Sequence, residues 1–551
     1  MERVKSAELF AAALQHQQAG RWAEAEARYR ELLAREQVSP DVHYNLGCLL
    51  NATGRNAAAA ECFRAALALR PAFPEAANNL GSALRATGQM EEAAAAFRVA
   101  TAIKPDFALA WNNLGAALKD LGQLDDALAC LDRAIAADPK QAAYGSNRAY
   151  AVHYSPRRSP ADLRREAERW AAVHAAPVRP AVIAHLNDRS PERRLRVGYV
   201  SPDFREHCQA MFTLPLLMNH DRAACEIYCY SDAVRPDDYT ERIRGFADVW
   251  RPVRGLGDEQ LAAGIRTDAI DVLVDLTQHM SGNRLPVFAR KPAPVQVSWL
   301  GYPGTTGLDT IDWRLTDPRL DPPGPHDAHY TERSYRLPDA FWCYDPLSTG
   351  PAVRPPPCTS AGRVTFGCLN NFGKLNDEVY ALWRRVLAAV PDSRLLLLVP
   401  PGQVREPIAA KLGVERERLI FTSFLPRPAY LALHQHIDAM LDPFPYNGHT
   451  TSLDALWMGV PVVSLCGETA VARAGLSLLT QVGLADLAVR TGDDYVATAA
   501  RLVQDRTGLT ALRAKLRGRL ERSPLMDAAR FARNIEAAYR VMWREWCARA
   551  A

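Results

Sequence analysis

The chain has 551 residues, 48% hydrophobic and 23% charged, with a formal net charge of +4 spread along its length. That is too long for one core, so three or four domains are expected, and too weakly basic for nucleic acid to be the main partner. Apolar runs stop well short of the roughly 18 residues a spanning helix needs, which argues against a membrane partner. Met1–Ser6 leads straight into an amphipathic stretch with no signal-peptide core, and the eleven cysteines form no CxxC pair. Both features point to a reducing compartment, the cytoplasm.

The first quarter is periodic. Leu46, Leu80 and Leu114 are each followed by glycine (Gly47, Gly81, Gly115) at a step of 34 residues. Gly54, Gly88 and Gly122 keep the step, as do Ala59, Ala93 and Ala127, then Phe63, Phe97 and Leu131, and finally Pro71, Pro105 and Pro139. Small residues at fixed positions let two antiparallel helices approach, and proline closes the second. The pattern resembles the tetratricopeptide repeat. Gly20, Ala25 and Tyr29 fit a degenerate first unit, so about four units fill residues 1–141 and form an α-solenoid.

Asn45, Asn79, Asn113 and Asn147 recur at the same step on the first helix of each unit. A side-chain amide carries a donor and an acceptor, so a ladder of them is able to hold a peptide backbone without reading its sequence. The alternative is that each asparagine braces a helix–helix contact. Both readings stand at this level.

Residues 142–190 read as a helical linker, with Leu163–His174 helical and Ser155-Pro156 and Ser159-Pro160 as breaks. Beyond Arg194 the texture becomes α/β. Strands are expected at Leu195–Val200, Glu226–Tyr230, Asp271–Leu276 and Val295–Leu300 in a lobe spanning 191–350. A second set follows the proline-rich Pro351–Pro357 in a lobe spanning 351–551: Val364–Gly367, Arg394–Val399, Leu419–Phe421, Met440–Asp442 and Pro461–Leu465. Strands alternating with helices imply parallel sheets. Two such halves suggest twin Rossmann-like lobes with a cleft between them, with ligands at the carboxyl ends of the strands.

Four loops at such ends carry chemistry: Ser201–His207, Gly301–Gly307, Asn370–Lys374 and Tyr446–Asp454. In the last, Asn447-Gly448 is a turn signal, and Thr450 and Thr451 open a helix that Gly459 ends. Helix N-termini attract phosphate, so two hydroxyls there make a phosphate seat, with Asp454 one turn in to accept from a ribose hydroxyl. Thr451-Ser452-Leu453-Asp454 also reads as a plain capping box. Lys374, between strand and helix, is either solvated or placed to neutralise a departing diphosphate. His207 is a candidate acid or base. Gly301–Gly307 is either a close backbone approach to ligand or a structural turn. No carboxylate cluster suggests a metal cage, and no cofactor is expected.

With these motifs in hand (SPDFREH, FARKPAPVQVSWLGYPGTTG, NNFGKL and PYNGHTTSLDALWMGVPVV behind tetratricopeptide repeats), the chain resembles the protein O-linked N-acetylglucosamine transferases, glycosyltransferase family 41, which includes the plant SPINDLY proteins. The resemblance implies a GT-B fold and inverting, metal-independent transfer from a UDP-sugar to Ser/Thr hydroxyls of a protein or peptide acceptor bound through the repeats. It also assigns roles. Lys374 contacts the donor diphosphate with Asn371 beside it. Thr450 and Thr451 bind phosphate with His449 adjacent, and Asp454 holds the ribose. His207 is the active-site histidine, Gly301 and Gly304 line the sugar pocket, and Tyr430 packs on the uracil, where animal enzymes have histidine.

The departures lie on the sugar and acceptor side. Cys208-Gln209 follow His207, and Gln278-His279-Met280 stand where the family usually shows Gly-His-Thr. The animal enzymes' lysine in that loop is replaced by Ser281. A GDP-fucose-dependent O-fucosyltransferase and a non-catalytic repeat scaffold with a degenerate transferase region are the alternatives.

Overall fold

The 34-residue period becomes four antiparallel helix pairs: α1 (Glu2–Gln18) with α2 (Trp22–Ala34), α3 (Pro40–Ala52) with α4 (Asn56–Leu69), α5 (Pro74–Ala86) with α6 (Met90–Ile103), and α7 (Ala108–Asp120) with α8 (Leu124–Ala137). The computed structural model describes residues 2–35, 39–181, 185–324 and 326–549. The repeated glycines are required by packing. A Cβ on Gly47 would lie 2.7 Å from the Phe63 ring, one on Gly81 2.6 Å from Phe97, and one on Gly115 2.8 Å from Leu131. Contacts also recur one unit on: Arg70 pairs with Asp41 at 2.7 Å, and Lys104 faces Glu75 at 3.9 Å. In the degenerate first pair Tyr29 is fully buried, and its hydroxyl donates to Gln17 Oε1 at 2.8 Å. Each pair buries its apolar face only against its neighbours, as in solenoids generally. This first compact unit runs to Tyr144 and takes in the segment Val399–Pro407.

The second unit comprises Gly145–Leu398 and Ile408 onward, and holds two parallel sheets. The first contains β1 (Leu195–Ser201), β2 (Cys225–Ser231), β3 (Val249–Pro252), β4 (Val272–Asp275), β5 (Val295–Ser298), β6 (Trp313–Thr316) and β7 (Arg333–Arg336) in the order β3-β2-β1-β4-β5-β6-β7. The second contains β8 (Thr365–Cys368), β9 (Arg394–Leu398), β10 (Leu419–Thr422), β11 (Ala439–Leu441), β12 (Val462–Leu465) and β13 (Ala488–Val489) in the order β10-β9-β8-β11-β12-β13. The nine expected strands are present to within a few residues. β3, β6, β7 and β13 were not anticipated: they are short, and each carries charge, proline or sheet-edge exposure rather than an apolar run.

The helical stretch expected within residues 142–190 is present, and it is packed. α9 (Ala142–Ala151) and α10 (Pro160–His174), the latter opened by a capping box of Ser159 and Asp162, lead into a wall of the second unit. There Trp170 packs 5.0 Å from His279, His153 4.8 Å from Tyr302, and Tyr154 5.2 Å from Tyr446. The proline-rich stretch is likewise pinned, because Arg517 donates to the Pro351 carbonyl at 2.9 Å and Arg513 to that of Arg354 at 3.3 Å. The last long helix, Ala528–Ala548, crosses back to the first sheet. Glu536 accepts from His220 at 2.8 Å, and Phe531 packs on Trp299. No helix among the described residues is long and apolar enough to cross a membrane.

Candidate functional site

In both sheets the strand order reverses next to the first strand, between β1 and β4 and between β8 and β11. Such switch points open a crevice at the carboxyl ends of the strands. The loops after β8 and β11 carry the NNFGK and NGHTT motifs, and those after β1 and β4 carry His207 and Gln278-His279. The chain therefore delivers its polar motifs to the two places where this topology binds ligands.

On the second sheet, Lys374 reaches across the switch point. Its Nζ donates to the Asn447 carbonyl at 2.8 Å and to Asn370 Oδ1 at 3.2 Å, and lies 4.4 Å over the Tyr446 ring. Asn370 Oδ1 also accepts from Thr451 Oγ1 at 2.8 Å, so one buried amide ties the lysine to the first turn of the helix Thr450–Trp457. Asn371, expected beside the donor, is exposed and accepts the Gly373 N–H at 2.8 Å to turn the loop. Asn370 was passed over because adjacent asparagines cannot be told apart from sequence.

The capping-box reading fails. His449 occupies the N-cap position without a side-chain cap, Thr451 bonds Asn370 instead, and Asp454 is bound elsewhere. Leading amides without a side-chain cap at a positive dipole end favour an anion. Gly448 is needed beside them: a Cβ there would lie 2.5 Å from the hydroxyls of both Thr451 and Ser452. Its N–H donates to buried Asp442 at 2.7 Å, and burial raises that carboxyl to about 7. His449 stacks on Tyr446 and leans on Trp342. Burial, then the charge of Lys374, holds its pKa well below the usual histidine value, so the ring is neutral, with Nε2 buried and unpartnered.

Asp454 is buried and gripped. Tyr344 donates to Oδ1 at 2.5 Å, and Arg427 donates at 2.8 Å and 3.3 Å. Burial, and then the carboxylate of Asp454, pushes the Tyr344 hydroxyl well above its ordinary range. Tyr430 lies on the same helix as Arg427 and packs edge-on against His434, with its hydroxyl buried near Asp454. Arg427 and Tyr344 were both missed. Arg427 had a faint signal, three residues before Tyr430, whereas Tyr344 is 110 residues from its partner and had none.

On the first sheet, His207 is partly exposed. Its Nδ1 accepts the Gln209 N–H at 3.4 Å and lies 3.7 Å from Asp203. Burial pulls its pKa down, but the Cys208 sulfur and the Asp203 carboxylate outweigh that, so the net shift is upward. Gln278 and Leu300 have φ of +50° and +76°, uncommon for residues with side chains. Both sit at the loops in question, where strained backbone clusters in functional sites. The unusual Gln278 donates to Ser298 Oγ at 2.8 Å, and buried His279 bonds the Thr306 carbonyl at 2.9 Å. Gly301 lies on the Thr277 carbonyl, 2.7 Å from where a Cβ would be, and a Cβ on Gly304 would overlap the Tyr302 ring.

The asparagine series is only part-exposed. Asn45 donates to the Asp41 carbonyl of its own helix at 2.8 Å. Asn79 donates to Tyr44 and Cys48 of the preceding unit at 3.3 Å and 3.4 Å, and Asn113 to Asn78 at 2.9 Å. These three belong to the first compact unit, and Asn147, on α9, belongs to the second. Away from the loops, His220, Cys225 and Glu536 bring possible ligand atoms within 4.8 Å. Both ring nitrogens of His220 are engaged by Tyr199 and Glu536, which marks a bracing network.

Against known proteins, the profile of glycosyl transferase family 41 matches residues 168–349 and 359–535, and tetratricopeptide-repeat profiles match 10–61, 44–106 and 108–141. The chain is 39% identical over 421 residues to the probable UDP-N-acetylglucosamine–peptide N-acetylglucosaminyltransferase SPINDLY of Solanum lycopersicum, covering 74% of this chain and 45% of that protein. The SPINDLY protein of Arabidopsis thaliana is 37% identical over 421 residues, covering 74% of this chain and 46% of that one. The chain thus spans about half the length of the curated relatives it matches. Among solved structures, a mutant O-GlcNAc transferase of Thermobaculum terrenum superposes with a TM-score of 0.87 at 37% identity, covering 93% of this chain and 98% of that one. Repeats, twin parallel sheets and the motif-bearing loops at their switch points agree with these matches: the chain belongs to glycosyl transferase family 41.

Proposed function

We propose that this protein transfers N-acetylglucosamine from UDP-N-acetylglucosamine to Ser or Thr hydroxyls of protein acceptors, with inversion and without a metal. The observation that carries this reading is the Lys374–Asn370–Thr451 bridge. It fixes one cation beside the uncapped start of a helix at a sheet's switch point, which suits a nucleoside diphosphate. The acceptor oxygen attacks the anomeric carbon, the bond from that carbon to the diphosphate oxygen breaks, and UDP leaves with the bonding electrons. The acceptor hydroxyl gives up its proton to the departing diphosphate or to water. Charge develops on the departing diphosphate, where Lys374 and the amides at Thr450 and Thr451 stabilise it without reorganising.

In this reading Asp454, held by Arg427, receives the ribose, Tyr430 packs on the base, and His449 stands beside the phosphates as a neutral donor. Asn371 borders the diphosphate at the loop's exposed edge. Gly301, Gly304 and His207 face the sugar and acceptor. The repeats present the acceptor, with Asn45, Asn79 and Asn113 on the first helices of the repeats in the first unit, and Asn147 contacts acceptor from the second unit. Eleven free cysteines support the cytoplasm as its location.

The seat is tested by melting the protein with nucleotides. UDP raises Tm by mass action and the shift survives EDTA. A shift with GDP and none with UDP moves the reading to a GDP-sugar donor. No shift with either removes the nucleotide seat.

A further inference from the structure

The Gly301–Gly307 loop is held by a residue that no motif contains. Glu332, between β6 and β7, is 4% exposed. Its Oε2 accepts from Thr305 Oγ1 at 2.7 Å, its Oε1 accepts the Thr306 N–H at 2.7 Å, and the Thr306 hydroxyl also donates to Oε1. Thr305 Oγ1 in turn accepts the Thr331 N–H at 3.1 Å, which ties the same hydroxyl to the residue before Glu332. A carboxylate taken out of water without its acceptor sites filled is costly. Here the filling donors come from two consecutive loop residues, so the loop and the acid hold each other in one geometry. His279 bonds the Thr306 carbonyl, so the peptide groups before and after Thr306 are both held.

We propose that Glu332 is a positioning residue for transfer: it sets the backbone of the loop that faces the donor sugar, so that Gly301 and Gly304 meet the sugar at fixed distance. This rests on the reading of that loop as the sugar side. Placement errors near 1 Å cost about 10² in rate, and the nucleotide side, built on the second sheet, does not depend on this clamp. Glutamine keeps the loop tied with one bond reversed: its carbonyl accepts from the Thr306 N–H and hydroxyl, its amide donates to Thr305 Oγ1, and the Thr305 hydroxyl turns to Thr331 Oγ1, 3.0 Å away. Alanine satisfies none of them.

The test compares Glu332→Ala, Glu332→Gln and the milder Thr305→Val in the full chain. Amide exchange of the 299–308 segment, UDP affinity, and the KM and kcat for UDP-N-acetylglucosamine turnover are measured. Glu332→Ala and Thr305→Val should raise segment exchange about tenfold or more. They should lower turnover about 10–100-fold and leave UDP affinity within about threefold, and Glu332→Gln should restore most of both. Unchanged exchange overturns the clamp. Faster exchange with unchanged turnover overturns its positioning role, as does a loss of UDP affinity equal to the loss of turnover. If the unaltered protein binds no UDP, the donor reading fails, while the exchange measurement still decides the clamp.

Discussion

Replacing Lys374 with alanine probes the leaving-group step. The ammonium is fixed by two oxygens, at 2.8 Å and 3.2 Å, and by the Tyr446 ring at 4.4 Å. It is therefore a preorganised charge rather than a mobile one. Removing a group of that kind from developing charge typically costs ~10²–10³ in rate, or ~2.7–4 kcal/mol of barrier. Hydrogen bonds from a charged donor contribute ~1.5–3 kcal/mol each when desolvated. Lys374 is only part-buried, and screening reduces that to about 1–3 kcal/mol of stability in total. The variant should fold, with a Tm a few degrees lower. Steady-state UDP release, with and without acceptor, should fall by ~10²–10³. Turnover within about twofold of the unaltered protein would refute the leaving-group role, because nothing else in the loop supplies that charge.

Three further outcomes are expected. Asn79→Ala with Asn113→Ala should cost about 0.5–1.5 kcal/mol per lost bond, read as a lower Tm, since both amides bridge repeat units. If they also hold acceptor, transfer to protein drops while UDP-sugar hydrolysis does not; equal losses return them to bracing. Asp442, raised to about 7 by burial, binds its proton more tightly folded than unfolded. Its stabilising contribution is full below about 3.8 and lost as pH climbs to about 7, so Asp442→Asn should flatten the decline in denaturant-measured stability across that window. His207, whose pKa is raised, contributes stability below about 6.5 that fades as pH rises through the folded value. The gap between the unaltered protein and His207→Asn should therefore be widest at acid pH, and a gap that widens with pH would contradict the assignment.

How much of this was legible in the sequence follows from the range of the contacts. The repeats were readable because each unit touches only its neighbours, so Gly47 against Phe63 is repeated as Gly81 against Phe97. The inner strands announced themselves as apolar runs. β7, with arginine at both ends and partly exposed throughout, did not. At the site, Lys374 and Thr450-Thr451 stood out because strand–loop–helix grammar places them. Asn370, Tyr344 and Glu332 act through partners 81, 110 and 26–27 residues away, and no spacing rule encodes that. The capping box was a correct pattern with the wrong outcome: Asn370 and Arg427 compete for the same side chains and win, since buried groups take the partners that satisfy them best.

Transfer itself is read from the mass of the product. The full chain is incubated with a protein acceptor and, in separate reactions, UDP-N-acetylglucosamine or GDP-fucose, with EDTA present, and the acceptor is read by intact mass and by fragmentation. The expected product is an added N-acetylhexosamine on Ser or Thr from the UDP donor, formed ~10²–10³ more slowly by Lys374→Ala. An added deoxyhexose from GDP-fucose alone would contradict the donor, and an unmodified acceptor in every reaction, with UDP bound, would contradict catalysis.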